Sequence, residues 1–202
     1  MDTDLDQIAA AVRPSVVQVL PGSSGGAGVV LSRGGELVVV TNAHVARGSA
    51  EDRIRILSHR RTAYHATIER TDAHRDLALL AVHSAGAGDL TPAILDDTAE
   101  LRAGQLVLAI GHPFGLTNAV TAGIVHAVGP IRGAWAPAPR SGRLSWIQAD
   151  IMLAPGNSGG PLLDIEGRVI GINTMVAGGL ALAVPAPDIR ALLQARGEAI
   201  PA

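Results

Sequence analysis

Apolar segments in this 202-residue chain are short, and turn formers cut them off at near-regular intervals. Most are runs of β-branched and aliphatic residues that end in Gly, Pro, Asp or Ser. That pattern predicts strands and leaves little room for long helices. Six candidates lie at 15–20, 28–31, 37–41, 54–57, 64–69 and 76–82. Six more lie at 106–110, 119–128, 144–148, 161–163, 168–173 and 180–184. Two successive sets of short strands predict an all-β fold of two six-stranded antiparallel barrels. The strand pattern breaks near 89–100, which divides the chain into residues 1–95 and 96–202, packed together as one domain.

Helical spacing appears only at the two ends. Leu5, Ile8, Ala9 and Val12 follow a possible capping box, Thr3-x-x-Asp6, and predict a short helix that stops before Pro14. APDIRALLQAR at 186–196 reads as a closing helix. GPIRGAWAPAPRSG at 129–142 has no strand pattern and reads as a long loop of the kind that is often functional.

Composition removes several kinds of chemistry. The chain has no Cys, which excludes disulfides, thiolate metal sites and a cysteine nucleophile. Its 16 basic residues are all Arg, so a P-loop lysine, a Schiff base and a Ser–Lys dyad are excluded too. GSSGGAG at 22–28 therefore reads as a turn before a strand rather than a phosphate cradle. A net charge of -2, with no run of like charges, gives no footprint for nucleic acid or a membrane surface. No histidine pair has metal-ligand spacing, and no cofactor or metal is expected. The acidic start, MDTDLDQIAAAV, is not a signal peptide, and no apolar run is long enough to span a membrane. If Met1 is the native start, synthesis without an export signal is expected.

The strongest local signal is GNSGGP at 156–161. A serine set among glycines permits a sharp turn and close approach to a ligand. Backbone N–H groups of Gly156, Asn157 and Ser158 can then converge on an oxyanion. A plain glycine-rich hairpin is the bland alternative. The segment also matches the nucleophile elbow of α/β-hydrolases, but those place the histidine after the serine. All seven histidines here precede Ser158. Only the order His, Asp, Ser suits an all-strand chain. His44 stands where the apolar strand 37–40 gives way to a loop, a frequent location for a reacting group. Asp76 opens the apolar segment DLALLAV at 76–82, where a carboxylate is partly buried and needs a partner.

Taken together, TNAHV at 41–45, DLALLAV at 76–82, GHPFGL at 111–116, AGIV at 122–125, GNSGGPL at 156–162 and GINT at 171–174 resemble the HtrA/Deg family of trypsin-like serine proteases. The resemblance covers most of residues 14–190. It implies a cleft between two barrels, with His44 and Asp76 from the first and Ser158 and the oxyanion hole from the second. It also implies that Thr174 hydrogen-bonds Asp76, and that Leu153, Val176 and Leu180 line an aliphatic specificity pocket. With Asn157 before the serine instead of Asp, activation by N-terminal cleavage is not expected.

The family usually carries a PDZ domain after the protease, and none is expected within residues 1–202. It often trimerises through N-terminal aromatics, and none precedes Tyr64. The expected function is a serine endopeptidase acting on exposed or unfolded polypeptide. One alternative is a peptide-binding, holdase-like domain with a resting site. Another is a hydrolase of small esters.

Overall fold

The structure, a computed structural model, describes residues 4–22, 25–47, 53–83, 88–98, 100–131 and 144–195. Two closed barrels of six antiparallel strands make up the domain. The first comprises β1 (Val16–Leu20), β2 (Gly26–Arg33), β3 (Glu36–Thr41), β4 (Arg53–Leu57), β5 (Ala63–Asp72) and β6 (Leu77–His83). Around it the strands run β1-β2-β3-β6-β5-β4. The second comprises β7 (Leu106–Gly111), β8 (Ala119–Gly129), β9 (Trp146–Asp150), β10 (Pro161–Leu163), β11 (Val169–Ala177) and β12 (Leu180–Pro185), in the order β10-β11-β12-β9-β8-β7. Each predicted strand is present, most of them lengthened by a residue or more at one end.

Several of these strands are apolar on both faces, and the packing explains why. In β3, Val39 points into its own barrel beside Val17, Val30 and Leu80. Its neighbours Val38 and Val40 face the other way, against Leu108, Ile110 and Leu163 of the second barrel. Residues of β6 split likewise, with Leu77 and Leu79 in the seam between barrels and Ala78 and Leu80 inside. Period-2 alternation is still present, but both sets of side chains are buried, so the sequence reads as an unbroken run. A third cluster, including Val107, Val125, Ile147 and Leu162, fills the second barrel. The seam is therefore a hydrophobic core in its own right, and it holds the two halves in one register.

The end helices cover that seam. α1 (Leu5–Val12) buries Ala9 and Val12 in it, and α3 (Ala186–Gln194) buries Ala186, Ile189, Leu192 and Leu193. Asp4, not Thr3, is the N-cap of α1, and no side-chain cap bond forms; Thr3 lies outside the described residues. Helix α3 ends at Gln194, two residues short of the expectation. Short helical turns are not expected from the sequence, and one of them, α2 (Ala43–Ala46), follows β3 directly and carries His44. The linker between barrels is pinned to both, Ala93 donating to the Val30 carbonyl and Val169 to that of Ile94. Most of the predicted loop at 129–142 lies outside the described residues.

Candidate active site

Asp76 occupies the turn from β5 to β6, in the left-handed region with φ of 55°. A non-glycine residue there stores strain of about 1–3 kcal/mol, which surrounding bonds must offset. Two donors grip its carbonyl: the Ala43 N–H at 3.1 Å and the Asn42 Nδ2 at 2.9 Å. The turn thereby aims the carboxylate at α2. His44 Nδ1 lies 2.6 Å from Asp76 Oδ2, and the His44 backbone N–H donates to Oδ1 at 2.9 Å. Thr174 Oγ1, from β11 in the other barrel, also donates to Oδ2, at 2.6 Å. Burial pushes this carboxyl's pKa up. The bonds from His44 and Thr174 together outweigh it and hold the group below its ordinary value. Asp76 is thus an anion with its lone pairs committed, and the Nδ1–H tautomer of His44 is the one it favours.

Ser158 sits in the turn 156–160 ahead of β10. Its carbonyl accepts from the Ala27 N–H of the first barrel at 2.8 Å. Gly159 donates to Asn173 at 2.8 Å and Gly160 to Asn157 at 3.0 Å. Gly156 adopts φ of 106° and packs on the His112 carbonyl so closely that a Cβ would collide with it. Its own carbonyl accepts from the His112 N–H at 3.1 Å. The N–H of Asn157 is turned inward to the Ala154 carbonyl at 3.0 Å. Those of Gly156 and Ser158 have no acceptor among the described residues. The Ser158 hydroxyl donates to the Thr174 carbonyl at 2.9 Å, and among the described residues it makes no hydrogen bond to His44.

A cavity of about 310 Å³ opens beside Ser158. Leu153, Ala154, Pro155, Met175 and Val176 line it, together with Ser158 and Thr174. No charged residue is among them. Leu180 is not among the lining residues: it pairs with Ala177 beside the turn that joins β11 to β12, and Met175 does line the cavity. No group of potential metal ligands occurs among the described residues, and no helix there is long and apolar enough to cross a membrane.

The family description "Trypsin-like peptidase domain" matches residues 26–172, a span that includes His44, Asp76 and Ser158. The chain belongs to the trypsin-like peptidase family. Among curated proteins, this peptidase domain is 38% identical to "Serine protease HTRA4" of Mus musculus over 182 residues, 90% of this chain and 36% of that protein. It is 38% identical to "Serine protease HTRA3" of Mus musculus over 175 residues, 84% of this chain and 37% of that protein. Over 169 residues it is 39% identical to "Serine protease HTRA1B" of Danio rerio, 83% of this chain and 34% of that protein. The peptidase domain therefore spans about a third of the length of the curated relatives it matches.

Sequence reasoning passed over two residues that the peptidase fold places beside this site. Asn42 is fully buried and holds the strained Asp76 turn. An asparagine immediately after an apolar strand could have signalled it, since a buried amide needs a backbone partner. His112 is 4% exposed, and its Nδ1 accepts from the Asn118 N–H at 3.3 Å, which closes the loop that supports Gly156. Burial holds this imidazole neutral, its pKa pushed down to about 4, against a weaker pull from the Val17 carbonyl. Nothing in the motif GHPFGL distinguishes such a ring from an exposed one.

Proposed function

We propose that this domain is a serine endopeptidase of the HtrA type that cleaves exposed or unfolded polypeptide after small or medium aliphatic residues. Ser158 is the nucleophile, His44 the general base and Asp76 the residue that fixes the imidazole. In the first step the Ser158 oxygen bonds to the scissile carbonyl carbon and its proton passes to His44 Nε2. The resulting oxyanion accepts hydrogen bonds from the Gly156 and Ser158 N–H groups. His44 then gives its proton to the departing amine, and water repeats the sequence to release the acyl group. These roles follow the established scheme of trypsin-like enzymes. The observation that carries the reading is the convergence on Asp76 of His44 and Thr174 bonds from two different barrels, beside a serine whose own N–H, with that of Gly156, has no acceptor among the described residues.

The bond from Ser158 to the Thr174 carbonyl favours a second state of the same enzyme. With its hydroxyl turned away from His44, the site rests, and a rotation about the serine Cα–Cβ bond engages it. A domain that remained in this state would bind polypeptide without cutting it. A fluorophosphonate probe separates the two, because it labels only an activated serine. Labelling of the wild type, lost in Ser158→Ala together with cleavage of denatured casein, is the expected outcome. A reduction of roughly 10⁴-fold or more in turnover is expected for that variant. Wild-type-like cleavage by it, or no labelling of the wild type with denatured casein present, rejects the endopeptidase reading.

A further inference from the structure

The turn that presents Asp76 is held from below as well as from α2. Asp72, at the end of β5 and 4% exposed, accepts the N–H groups of His74 and Arg75 on Oδ1, at 3.0 and 3.1 Å. Its other oxygen accepts from the Arg75 guanidinium at 2.9 Å. The same guanidinium donates through Nε to Asp188 Oδ1, also at 2.9 Å. Asp188 lies in the first turn of α3. A single arginine, next in sequence to the strained Asp76, thus joins the turn to the last helix across 113 residues of chain. That helix packs against β6 of the first barrel and against β11 and β12 of the second. Strand β11 carries Thr174, the other donor to Asp76.

We infer that α3 positions Asp76 through the Asp188–Arg75–Asp72 bridge, so that the seating of the final helix sets the geometry of the His44–Asp76 pair. Arg75 and Asp188 are positioning residues: neither is among those lining the cavity beside Ser158. The inference rests on the reading of Asp76 as the group that orients His44. The physical argument is mechanical. A left-handed backbone at Asp76 relaxes unless its flanks are fixed, and the fixed flank on the N-terminal side is Arg75. Released from α3, the turn loses one of its two carboxylate anchors. The carboxylate then drifts from Nδ1, and small displacements at a reacting centre are expensive in rate.

The test uses two variants of opposite charge effect. Arg75→Ala removes the positive charge next in sequence to Asp76, and Asp188→Asn removes a negative one while keeping the shape of the side chain. Simple electrostatics predicts opposite shifts in the His44 titration. Loss of positioning predicts the same shift in both, to lower pH, since a misplaced Asp76 stabilises the imidazolium less. In casein or peptide cleavage, kcat should fall roughly 10- to 100-fold with KM little changed.

Arg190→Ala is the control. It frees the same helix from Asp97, to which Arg190 donates at 2.9 and 3.2 Å, without touching the Asp76 turn. It should lower Tm and leave kcat and the titration in place. The His44 titration is also followed by NMR in a Ser158→Ala background, so the coupling is read even if the wild type proves not to cleave peptides. Absence of wild-type cleavage rejects the function proposed above. Opposite shifts in Arg75→Ala and Asp188→Asn, or titrations and rates matching those of Arg190→Ala, reject the coupling.

Discussion

Leu153 and Val176 present alkyl groups to the cavity beside Ser158, and no carboxylate stands among its walls. A charged substrate side chain entering it would lose its water and gain no partner among the described residues. Cuts in denatured casein, mapped by mass spectrometry, should therefore follow Val, Ala, Ile or Leu. Discrimination among these should be modest, because one methylene in an apolar pocket is worth about 1–3 kcal/mol. Leu153→Asp should bring in cuts after Arg and Lys. A majority of wild-type cuts after basic residues, or a profile unmoved by the substitution, would show that these side chains do not face the residue before the cut.

The residue scale is also where sequence and structure part company most. His44, Asp76 and Ser158 stand out in the sequence because each interrupts an apolar or glycine-rich segment in an order few folds tolerate. Asn42 and Arg75 do not, because what they do depends on where distant chain arrives. Arg75 beside Asp76 looks like an ordinary turn residue until α3 brings Asp188 to it. The resemblance implies Leu180 as a pocket wall, and the residues lining the cavity beside Ser158 do not include it. Proximity in sequence puts Asn157 among the convergent donors, whereas its N–H closes a local turn on the Ala154 carbonyl.

Among the elements, the turn at 156–160 shows how little freedom a nucleophile's surroundings have. Gly159 adopts φ of 85°, and a Cβ added there would collide with the Ala27 carbonyl and the Thr41 hydroxyl. Thr41 Oγ1 is itself committed to that carbonyl at 2.7 Å. An alanine here meets a disfavoured backbone and two rigid neighbours at once, and both lie on the first barrel. Gly159→Ala should cost about 2 kcal/mol or more by urea unfolding. It should also reduce kcat, because relief of the collision moves Ser158 away from Ala27. A variant as stable as the wild type would mean that the turn has slack which its contacts do not suggest. Strand elements, by contrast, were legible from the outset. Their ends coincide with Gly, Pro and Asp, and burial of both faces only made the apolar runs longer. Helical turn α2 was not legible, since four residues are too few for a period to show.

For the molecule as a whole, the seam between barrels carries both the site and a pH dependence. His112 is buried near Val17 of the opposite barrel, with a pKa held at about 4. The unfolded chain binds its proton from about pH 6.5 downward, so between those values the unfolded state holds more protons than the folded one. Stability from the neutral ring is present above pH 6.5 and is lost as pH falls toward 4, a change on the order of 3 kcal/mol. Asp76 acts in a lower window. Its depressed carboxyl stabilises the fold above the ordinary carboxylate value and stops doing so as pH drops through the folded one. Urea unfolding of wild type and His112→Gln at pH 7 and pH 4.5 isolates the histidine. The variant should lose less stability on acidification; equal losses would contradict the assignment.

The chain order of the two barrels has a consequence for biosynthesis. Ribosomes release His44 and Asp76 first, then Ser158, and after it Thr174 and α3. On the roles proposed here, a nascent chain has base and orienting acid in a barrel that can close early, yet no nucleophile until more than three quarters of these residues have emerged. Even then Asp76 lacks the Thr174 hydroxyl and the Asp188 anchor. Peptide-cleaving capacity is therefore withheld until translation of this segment is nearly finished. On the proposed specificity, the growing polypeptide, itself unfolded and rich in aliphatic residues, is spared from being its own first substrate.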